Sequence, residues 1–209
     1  MSVHTEMVQQ VYDRLSTSYD KRWHDYVGPT LHAILDSVVF QGRERVLDVA
    51  CGTGELERLF LRRWPELELV GADVSQGMLC QASHKEGNKR VAWVQAEASL
   101  LPFADQSFDH VVCANSFHYF PSPIQALNEV HRVLRPGGSF VLLDWCDDYL
   151  SCKLCSVWLW LTDPAFCRTY TSNACQAMLA KAGFEVERKD CFRVGRIWGM
   201  MRFVCRKLA

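Results

Sequence analysis

Residues 46–57 read VLDVACGTGELE, an apolar run that passes directly into a glycine-containing turn and then into a helical pattern. A short apolar, β-branched run is typical of a buried strand, and Gly52 and Gly54 let the backbone of the turn approach a ligand closely. In an open α/β sheet, ligands bind beyond the carboxyl ends of the strands. This stretch therefore predicts a strand–turn–helix unit with a ligand site at the turn.

Similar apolar runs alternate with helical patterns along the chain. The predicted strands cover 45–50, 67–73, 90–96, 108–115 and 138–145, and the predicted helices cover 54–64, Ser75 (as N-cap) to Gly87, and 123–134. Strands that are apolar throughout suit a parallel sheet covered on both faces, and the β–α alternation favours a doubly wound α/β fold. The last two strands, 184–191 and 196–207, have no long helix between them, which predicts an antiparallel pair at the sheet edge.

Helical patterns also flank this core. Residues 3–40 predict two helices broken near Gly28-Pro29, and residues 149–162 predict an aromatic-rich helix. A further helix is expected at about 172–182. No composition shift divides the chain, so we expect a single domain.

Composition excludes several classes of protein. The 209 residues are 49% hydrophobic and 22% charged, as in globular domains. With 23 basic and 24 acidic residues the net charge is −1, which indicates neither a nucleic-acid backbone nor an anionic membrane surface as a partner. No apolar stretch is long enough to span a bilayer, and the polar start carries no signal pattern. Ten cysteines in a chain of this length do not suggest a disulfide scaffold, so we expect a reducing, cytoplasmic location.

The acidity of the turn bears on the kind of ligand. A dinucleotide-binding turn needs a third glycine where this chain has Glu57. Glu55 and Glu57 would also place carboxylates near a helix N-terminus, where a phosphate would otherwise bind. A ligand with cationic groups and no phosphate fits better, and S-adenosylmethionine is such a ligand.

Three acids lie at successive strand ends. Asp48 precedes the glycine turn and is expected to add a fixed negative charge, Asp73 ends the second strand, and Glu97 closes the third. A carboxylate at the position of Asp73 can accept hydrogen bonds from ribose hydroxyls, which nicotinamide sites share. Glu97 could accept from the amine of adenine.

These motifs resemble the class I S-adenosylmethionine-dependent methyltransferases, and within them the small ubiquinone/menaquinone-biosynthesis-like branch. The matching strings are VLDVACGTGELE, LVGADVSQGML, VQAEASLLPFADQSFDHVVCANSFHYF and EVHRVLRPGGSFVLLDW, which cover residues 45–145, and TSNACQAMLAKAGFEVE at 171–187. The resemblance implies a Rossmann-like, mostly parallel seven-stranded sheet with an antiparallel last strand and an N-terminal helical cap. It divides the single domain of residues 1–209 into a cap (1–40), a cofactor-binding core (41–145), and an acceptor lid with the final strands (146–209).

The resemblance also implies roles for individual residues. Asp48, Gly52, Gly54 and Asn115 match positions that face the methionine part of the cofactor. The residues that match positions around the adenosine part of the cofactor are Asp73, Val74, Met78, Glu97 and Ala98. Tyr19 matches a tyrosine of the N-terminal helix that closes over the cofactor. Two departures are visible, since Ala50 replaces a common glycine and Glu97 a more usual aspartate.

Methyl transfer needs alignment and exclusion of water more than a nucleophile. A general base helps only when the acceptor must lose a proton, and His118, just after Asn115, is the first candidate. His118 could instead only pack in its loop, and His24 is a weaker candidate. The expected wall residues of an acceptor pocket are Trp23, His24, Phe117, His118, Tyr119, Trp145, Trp158 and Trp160. The helix that carries the last two could be a lid or could pack as ordinary core.

The cysteines include one CxxC, Cys152 and Cys155, whereas a zinc site usually has two such pairs, so no metal is expected. Most of the thiols are expected to act as small buried hydrophobes. Binding of a thiophilic acceptor such as arsenite is a sharper alternative, but the cysteine pattern of arsenic methyltransferases is not matched.

The sequence thus predicts an enzyme that methylates a small, apolar or aromatic molecule, without nucleic acid or a membrane span. Two alternatives stay open: a non-catalytic S-adenosylmethionine-binding regulatory protein, and a nicotinamide-dependent oxidoreductase. The acceptor atom and the oligomeric state are not determined.

Overall fold

A computed structural model describes residues 2–86 and 90–208 of the chain. The strands are β1 (Arg45–Val49), β2 (Glu68–Asp73), β3 (Val91–Gln95), β4 (Phe108–Ala114), β5 (Leu134–Trp145), β6 (Phe184–Val194) and β7 (Trp198–Lys207). The helices are α1 (Val3–Leu15), α2 (Tyr19–Leu35), α3 (Glu55–Arg63), α4 (Gln76–Glu86), α5 (Pro123–Val133), α6 (Leu150–Thr162) and α7 (Ser172–Lys181), with a short 3₁₀ helix at Phe117–Tyr119. The predicted helix end at Gly87 lies outside the described residues.

The strands of the described chain form one seven-stranded sheet in the order β3-β2-β1-β4-β5-β7-β6. β1 pairs in parallel with both β2 and β4, so the chain leaves β1 in one direction and returns on its other side. The place where the strand order reverses in this way is a topological switch point, and a crevice opens there beyond the carboxyl ends of the strands. The fold therefore places the predicted glycine turn at a ligand-binding position.

The final strands form the predicted antiparallel pair. β7 lies between β5 and β6 and runs antiparallel to both of them. The fold class predicted from the sequence is confirmed, including the antiparallel last strand.

Successive residues of the parallel strands point to opposite faces, so the sheet has a core on each side. Leu47 packs in the core with helices α5 and α7, and Val46 in the core with helices α2 and α3. This double coverage explains why the parallel strands read as continuous apolar runs. None of the described helices is long and apolar enough to cross a membrane.

The N-terminal helices differ from the prediction. The break lies at residues 16–18, and α2 continues through Gly28 and Pro29 to Leu35. Pro29 is exposed, whereas Tyr26, Ile34 and other residues of the inner helix face are buried against the sheet. Burial of that face outweighs the loss of one backbone hydrogen bond at the proline, so a proline alone did not end this helix.

Ser75 caps α4 as predicted, because its Oγ accepts a hydrogen bond from the backbone N–H of Met78 at 3.1 Å. The same hydroxyl donates to Asp13 of α1 at 2.5 Å, and Asp13 also accepts from the Gly77 N–H at 2.8 Å. The cap of α4 thus attaches α1 to the core.

Replacement of Ser75 by alanine is expected to lower the free energy of unfolding by about 2 kcal/mol, because it removes both the helix cap and the bond to Asp13. Thr171→Ala is the matched control, since Thr171 caps α7 through the Ala174 N–H and has no link to α1. The control should cost about 1 kcal/mol. Urea unfolding of both variants measures the difference, and equal losses would show that the bond to Asp13 contributes nothing.

Candidate functional site

A cleft opens at the carboxyl ends of β1 to β4, under helices α1 and α2. Most of the predicted cofactor residues line it, together with Tyr19: Gly52, Asp73, Val74, Met78, Glu97, Ala98 and Asn115. Asp48 and Gly54 are not among the lining residues. The roles of the lining residues toward a cofactor stay predictions, but the fold does bring these residues together.

Gly52 meets the requirement for close backbone approach. Its φ is +56°, in the left-handed region, and no atom lies within 4 Å of the position that a Cβ would take. Its N–H donates to Asp73 Oδ2 at 2.8 Å. The glycine therefore leaves open space in the cleft and couples the turn after β1 to the end of β2.

Gly54 is not among the lining residues of the cleft, and its role toward the cofactor stays a prediction. Its φ of +76° begins α3, and an added Cβ would lie 2.7 Å from the Trp93 ring and 2.9 Å from Ala82 Cβ. The close approach that the structure shows at this glycine is to the side chains of Trp93 and Ala82. Gly54 allows α3 to pack against its neighbours.

Asp73 is the buried carboxylate of the cleft. Its Oδ1 accepts a hydrogen bond from the Ser75 N–H and its Oδ2 one from the Gly52 N–H, both at 2.8 Å. Burial raises the pKa of Asp73 from 3.8 to about 6, although these two N–H donors act in the opposite direction. Each carboxylate oxygen keeps acceptor capacity for a further donor, such as a hydroxyl.

Asp48 and Glu57 are the two acids on either side of the glycine turn. Both are buried, and neither Asp48 Oδ1 nor either Glu57 oxygen has a hydrogen-bond partner within the described part of the chain. Burial raises the pKa of Asp48 well above its usual range and that of Glu57 to about 8. The fixed negative charge at Asp48 stays a prediction, and Glu57 Oε1 lies 2.7 Å from the position that a Cβ on Gly71 would take.

Glu97 lies at the far end of the cleft, half-buried. Its Oε1 accepts hydrogen bonds from Thr5 Oγ1 at 2.9 Å and from Ser99 Oγ at 2.8 Å. Thr5 belongs to α1, so this acid also holds the N-terminal helix over the cleft. Sequence reasoning missed Thr5, whose only signal was its place on a helix predicted to cap the site.

The second helix is attached beside the glycine turn. Asp20 accepts a hydrogen bond from Thr53 Oγ1 at 2.5 Å and pairs with Lys85 of α4. The adjacent Tyr19 lines the cleft, and burial raises the pKa of its phenol, which therefore stays protonated at neutral pH. The cap thus supplies a neutral hydroxyl to the site.

Asn115 connects this cleft to a second cavity. It follows β4 with φ +58°, and its amide is oriented by the Tyr26 hydroxyl, which donates to Oδ1 at 2.7 Å, and by Thr30 Oγ1, which accepts from Nδ2 at 2.8 Å. The Trp145 indole N–H donates to the same Tyr26 oxygen at 2.6 Å. These partners from α2 and β5 were not predicted.

The second cavity has a volume of about 410 Å³ and is largely aromatic. It shares four residues with the cleft: Tyr12, Tyr19, Asn115 and Tyr119. The predicted wall residues that line it are Trp23, His118, Tyr119, Trp145 and Trp158. The other three do not, because Phe117 is buried in the core and His24 and Trp160 are exposed at the surface.

His118 is held rigidly in the wall of this cavity. Its Nδ1 lies 2.6 Å from Asp144 Oδ1, its backbone N–H donates to Asp144 Oδ2 at 2.7 Å, and its ring stacks on Trp145. Nε2 has no hydrogen-bond partner among residues 2–86 and 90–208. Since Asp144 accepts from Nδ1–H, a neutral ring carries its lone pair on Nε2. Sequence reasoning missed Asp144, although it too is an acid near a strand end.

The CxxC pair does not form a joint site. Cys152 is buried, and its Sγ contacts the backbone of Gly199, whereas Cys155 is half-buried. In the described part of the chain, the thiol and carboxylate ligand atoms that converge within 4.8 Å belong to Cys146, Asp148 and Cys191. All ten cysteines are free, and binding of a thiophilic acceptor stays an untested alternative.

Comparison with known proteins identifies the domain. The family model described as a methyltransferase domain matches residues 47–142. The chain carries a methyltransferase domain at these residues. Ubiquinone/menaquinone biosynthesis C-methyltransferase UbiE of Dinoroseobacter shibae is 34% identical over an alignment of 148 residues, and the match covers 66% of this chain and 59% of the relative. The chain thus spans less than two thirds of that relative's length.

Solved structures agree with the fold of the methyltransferase domain. A methyltransferase structure from Bacillus halodurans matches with a TM-score of 0.75 at 23% identity, covering 86% of this chain and 99% of that one. The cyclase SpnF matches with a TM-score of 0.81 at 20% identity, covering 97% and 95%. At these identities the likeness shows the fold alone. The family, the fold and S-adenosylmethionine as the cofactor agree with the predictions from the sequence.

Proposed function

We propose that this methyltransferase domain transfers a methyl group from S-adenosylmethionine to a small apolar or aromatic molecule. The observation that carries the proposal is the joining of the two cavities: a cleft with a buried carboxylate and an open glycine turn leads past Asn115 and Tyr19 into an aromatic cavity. The first suits a polar nucleoside, and the second suits an apolar acceptor. The proposal covers residues 1–209 as one domain, with residues 1–40 as its cap.

The residues of the cleft fit the cofactor. Asp73 has free acceptor capacity for ribose hydroxyls, Gly52 leaves its backbone accessible, and Val74 and Met78 offer apolar contacts for adenine. When bound, S-adenosylmethionine supplies an electrophilic methyl group on a sulfonium. Because that group is already reactive, the protein has to orient the acceptor and exclude water.

Exclusion of water follows from the cap. Asp13, Asp20 and Thr5 attach α1 and α2 over the cleft, and the aromatic rings of Tyr12 and Tyr119 pack edge to face with centroids 5.3 Å apart between the two cavities. A reacting group at this junction is surrounded by aromatic carbon and by neutral hydroxyls.

His118 is placed to act as a general base for an acceptor that must lose a proton. Asp144 orients the ring and stabilises it once Nε2 has accepted that proton, an arrangement known from other His–Asp pairs. An acceptor with an aromatic ring and an ionisable hydroxyl would pack against the aromatic walls of the cavity and give its proton to His118. The name of the UbiE relative, which places it in quinone biosynthesis, supports an acceptor of this kind.

The direct experiment is turnover with S-adenosylmethionine that carries an isotopically labelled methyl group. The acceptor panel contains phenols, hydroquinones, aryl amines and amino acids, and transfer of label to a phenol or hydroquinone is the expected result. Label in none of the acceptors, with intact binding of S-adenosylhomocysteine, would contradict the enzyme and favour a non-catalytic binding protein. Binding of a nicotinamide dinucleotide in place of S-adenosylhomocysteine would favour an oxidoreductase.

Binding of S-adenosylhomocysteine is expected to depend on pH through Asp73. Because the pKa of this buried carboxyl is about 6 and the ionised form is the better acceptor, affinity should be constant above pH 7. It should fall as the pH drops below 6, by up to about tenfold per pH unit. Calorimetry between pH 5 and pH 8 measures this slope, and Asp73→Asn, which cannot ionise, should remove it. A slope that persists in this variant would assign the titration to another group.

A further inference from the structure

Helix α6 presents its most apolar residues to solvent. Five of them recur at helical spacing along one face and are between 59% and 70% exposed: Leu150, Leu154, Val157, Trp158 and Leu161. Trp160, beside this row, is 72% exposed. The buried residues of the same helix are Cys152 and Leu159. We call these six exposed side chains the α6 face. They are larger and more apolar than most of the side chains of α6 that face the protein.

This concentration is unusual within the molecule. The α6 face holds six of the eleven large apolar side chains that are exposed in the described chain, and the others are scattered over the N-terminus, loops and C-terminus. Single exposed apolar residues are ordinary, but a contiguous group marks a surface that something covers. The average composition of the chain gave no sign of this surface, because the fold gathers it on one helix.

Charge indicates what covers the α6 face. Lys153 is the only charged residue in the sequence of α6, and it lies on the exposed side between Val157 and Trp160. Arg22 and Trp158 both line the adjoining aromatic cavity, as does Asp163. The helix itself carries no acid, and the nearest acids, Asp148 and Asp163, lie beyond its two ends. Leucine and tryptophan side chains beside a cation are typical of helices that lie in a phospholipid surface. Tryptophan in particular favours the headgroup level.

The position of the α6 face also supports a phospholipid surface as the partner that covers it. Trp158 belongs both to this face and to the lining of the aromatic cavity, and Leu159 and Thr162 of α6 line that cavity too. A bilayer in contact with α6 would therefore lie beside the cavity that we assign to the acceptor.

We propose that α6 docks this domain on a phospholipid bilayer, with the α6 face inserted at headgroup level and Lys153 and Arg22 near the lipid phosphates. The further consequence, that an apolar acceptor reaches the aromatic cavity from the lipid without crossing water, rests on the proposed function. Docking itself requires no turnover.

Vesicle co-sedimentation tests the docking with the full chain. Vesicles of phosphatidylcholine with phosphatidylglycerol should carry down the wild-type protein, and its tryptophan emission should shift to the blue. Trp160→Ser with Leu161→Ser should weaken binding at least about tenfold, since two large apolar contacts are lost. Neither residue lines a cavity. Val39→Ser is the matched control, because Val39 is 90% exposed and lies away from α6, and it should bind as the wild type does.

Two further readouts separate the outcomes. Lys153→Glu should weaken binding to the anionic vesicles more than binding to pure phosphatidylcholine. S-adenosylhomocysteine should bind equally to the double variant and the wild type, so that a failure of docking is distinct from a failure of the proposed function. Absence of the wild type from the vesicle pellet would overturn docking. If light scattering then showed a dimer that the double variant cannot form, a second copy of the chain would be the occupant instead.

Discussion

Asp73→Ala is expected to weaken the binding of S-adenosylhomocysteine by about 100-fold. The buried carboxylate is assigned two hydrogen bonds from the ribose, and each charge-assisted bond contributes roughly 1.5 kcal/mol, so their loss corresponds to about two orders of magnitude in Kd. The variant also removes the acceptor of the Gly52 and Ser75 N–H groups, which hold the turn after β1 against the start of α4. Isothermal titration calorimetry at pH 7.5 is the measurement.

Two variants make this result specific. Gly52→Val should abolish binding through a different cause, because its side chain would occupy open space in the cleft at a positive φ. Glu66→Ala removes an exposed acid in the turn before β2, at the opposite end of the sheet, and should leave Kd unchanged. A Kd for Asp73→Ala within about threefold of the wild-type value would contradict the assignment of this carboxylate to the cofactor.

The second large effect is expected at His118. His118→Gln should lower kcat for a phenolic acceptor by about 10²- to 10⁴-fold, the range that general bases contribute, and leave S-adenosylhomocysteine affinity unchanged. Asp144→Asn should reproduce most of this loss, because it removes the charge that orients and stabilises the ring.

His24→Gln is the control, since His24 is exposed and lines neither cavity. Thermal unfolding of each variant shows whether the buried pair was disrupted. If His118→Gln unfolds at the wild-type temperature and keeps its kcat, the acceptor ionises without this residue, and His118 only packs against Trp145.

Sequence analysis placed residues in the cleft most successfully where the sheet topology alone determines their position. Asp73, Glu97 and Asn115 each follow a parallel strand, and parallel strands end at one edge of the sheet. The chain order of the strands was therefore sufficient to bring these side chains to one cleft. The antiparallel final pair followed from the absence of a helix between two apolar runs.

The sequence was least informative about which side chains are buried. Spacing in the chain does not tell whether a side chain lines the cleft or is buried beside it. Asp48 and Glu57 are buried, and burial raises the pKa of both. Gly54, which the resemblance assigns to the cofactor, also makes room for the Trp93 ring because it lacks a Cβ. Such contacts depend on packing between distant strands.

Long-range partners were missed for the same reason. Asp144 lies 26 residues from His118 in the chain, and Tyr26 lies 89 residues from Asn115. No local pattern connects such pairs, and only the assembled sheet brings the end of β5 to the loop after β4. The functional residues thus fall into those that motifs identify and those that support them from elsewhere in the fold.

The central claim is that the cleft at the ends of β1 to β3 holds a phosphate-free nucleoside next to an aromatic acceptor cavity. A crystal structure of the protein with S-adenosylhomocysteine tests it most directly. We expect the ribose hydroxyls on Asp73, the adenine between Met78 and Glu97, and the sulfur beside Asn115, at the opening toward His118. Ligand density elsewhere on the protein, or a diphosphate-containing ligand in this cleft, would contradict the account.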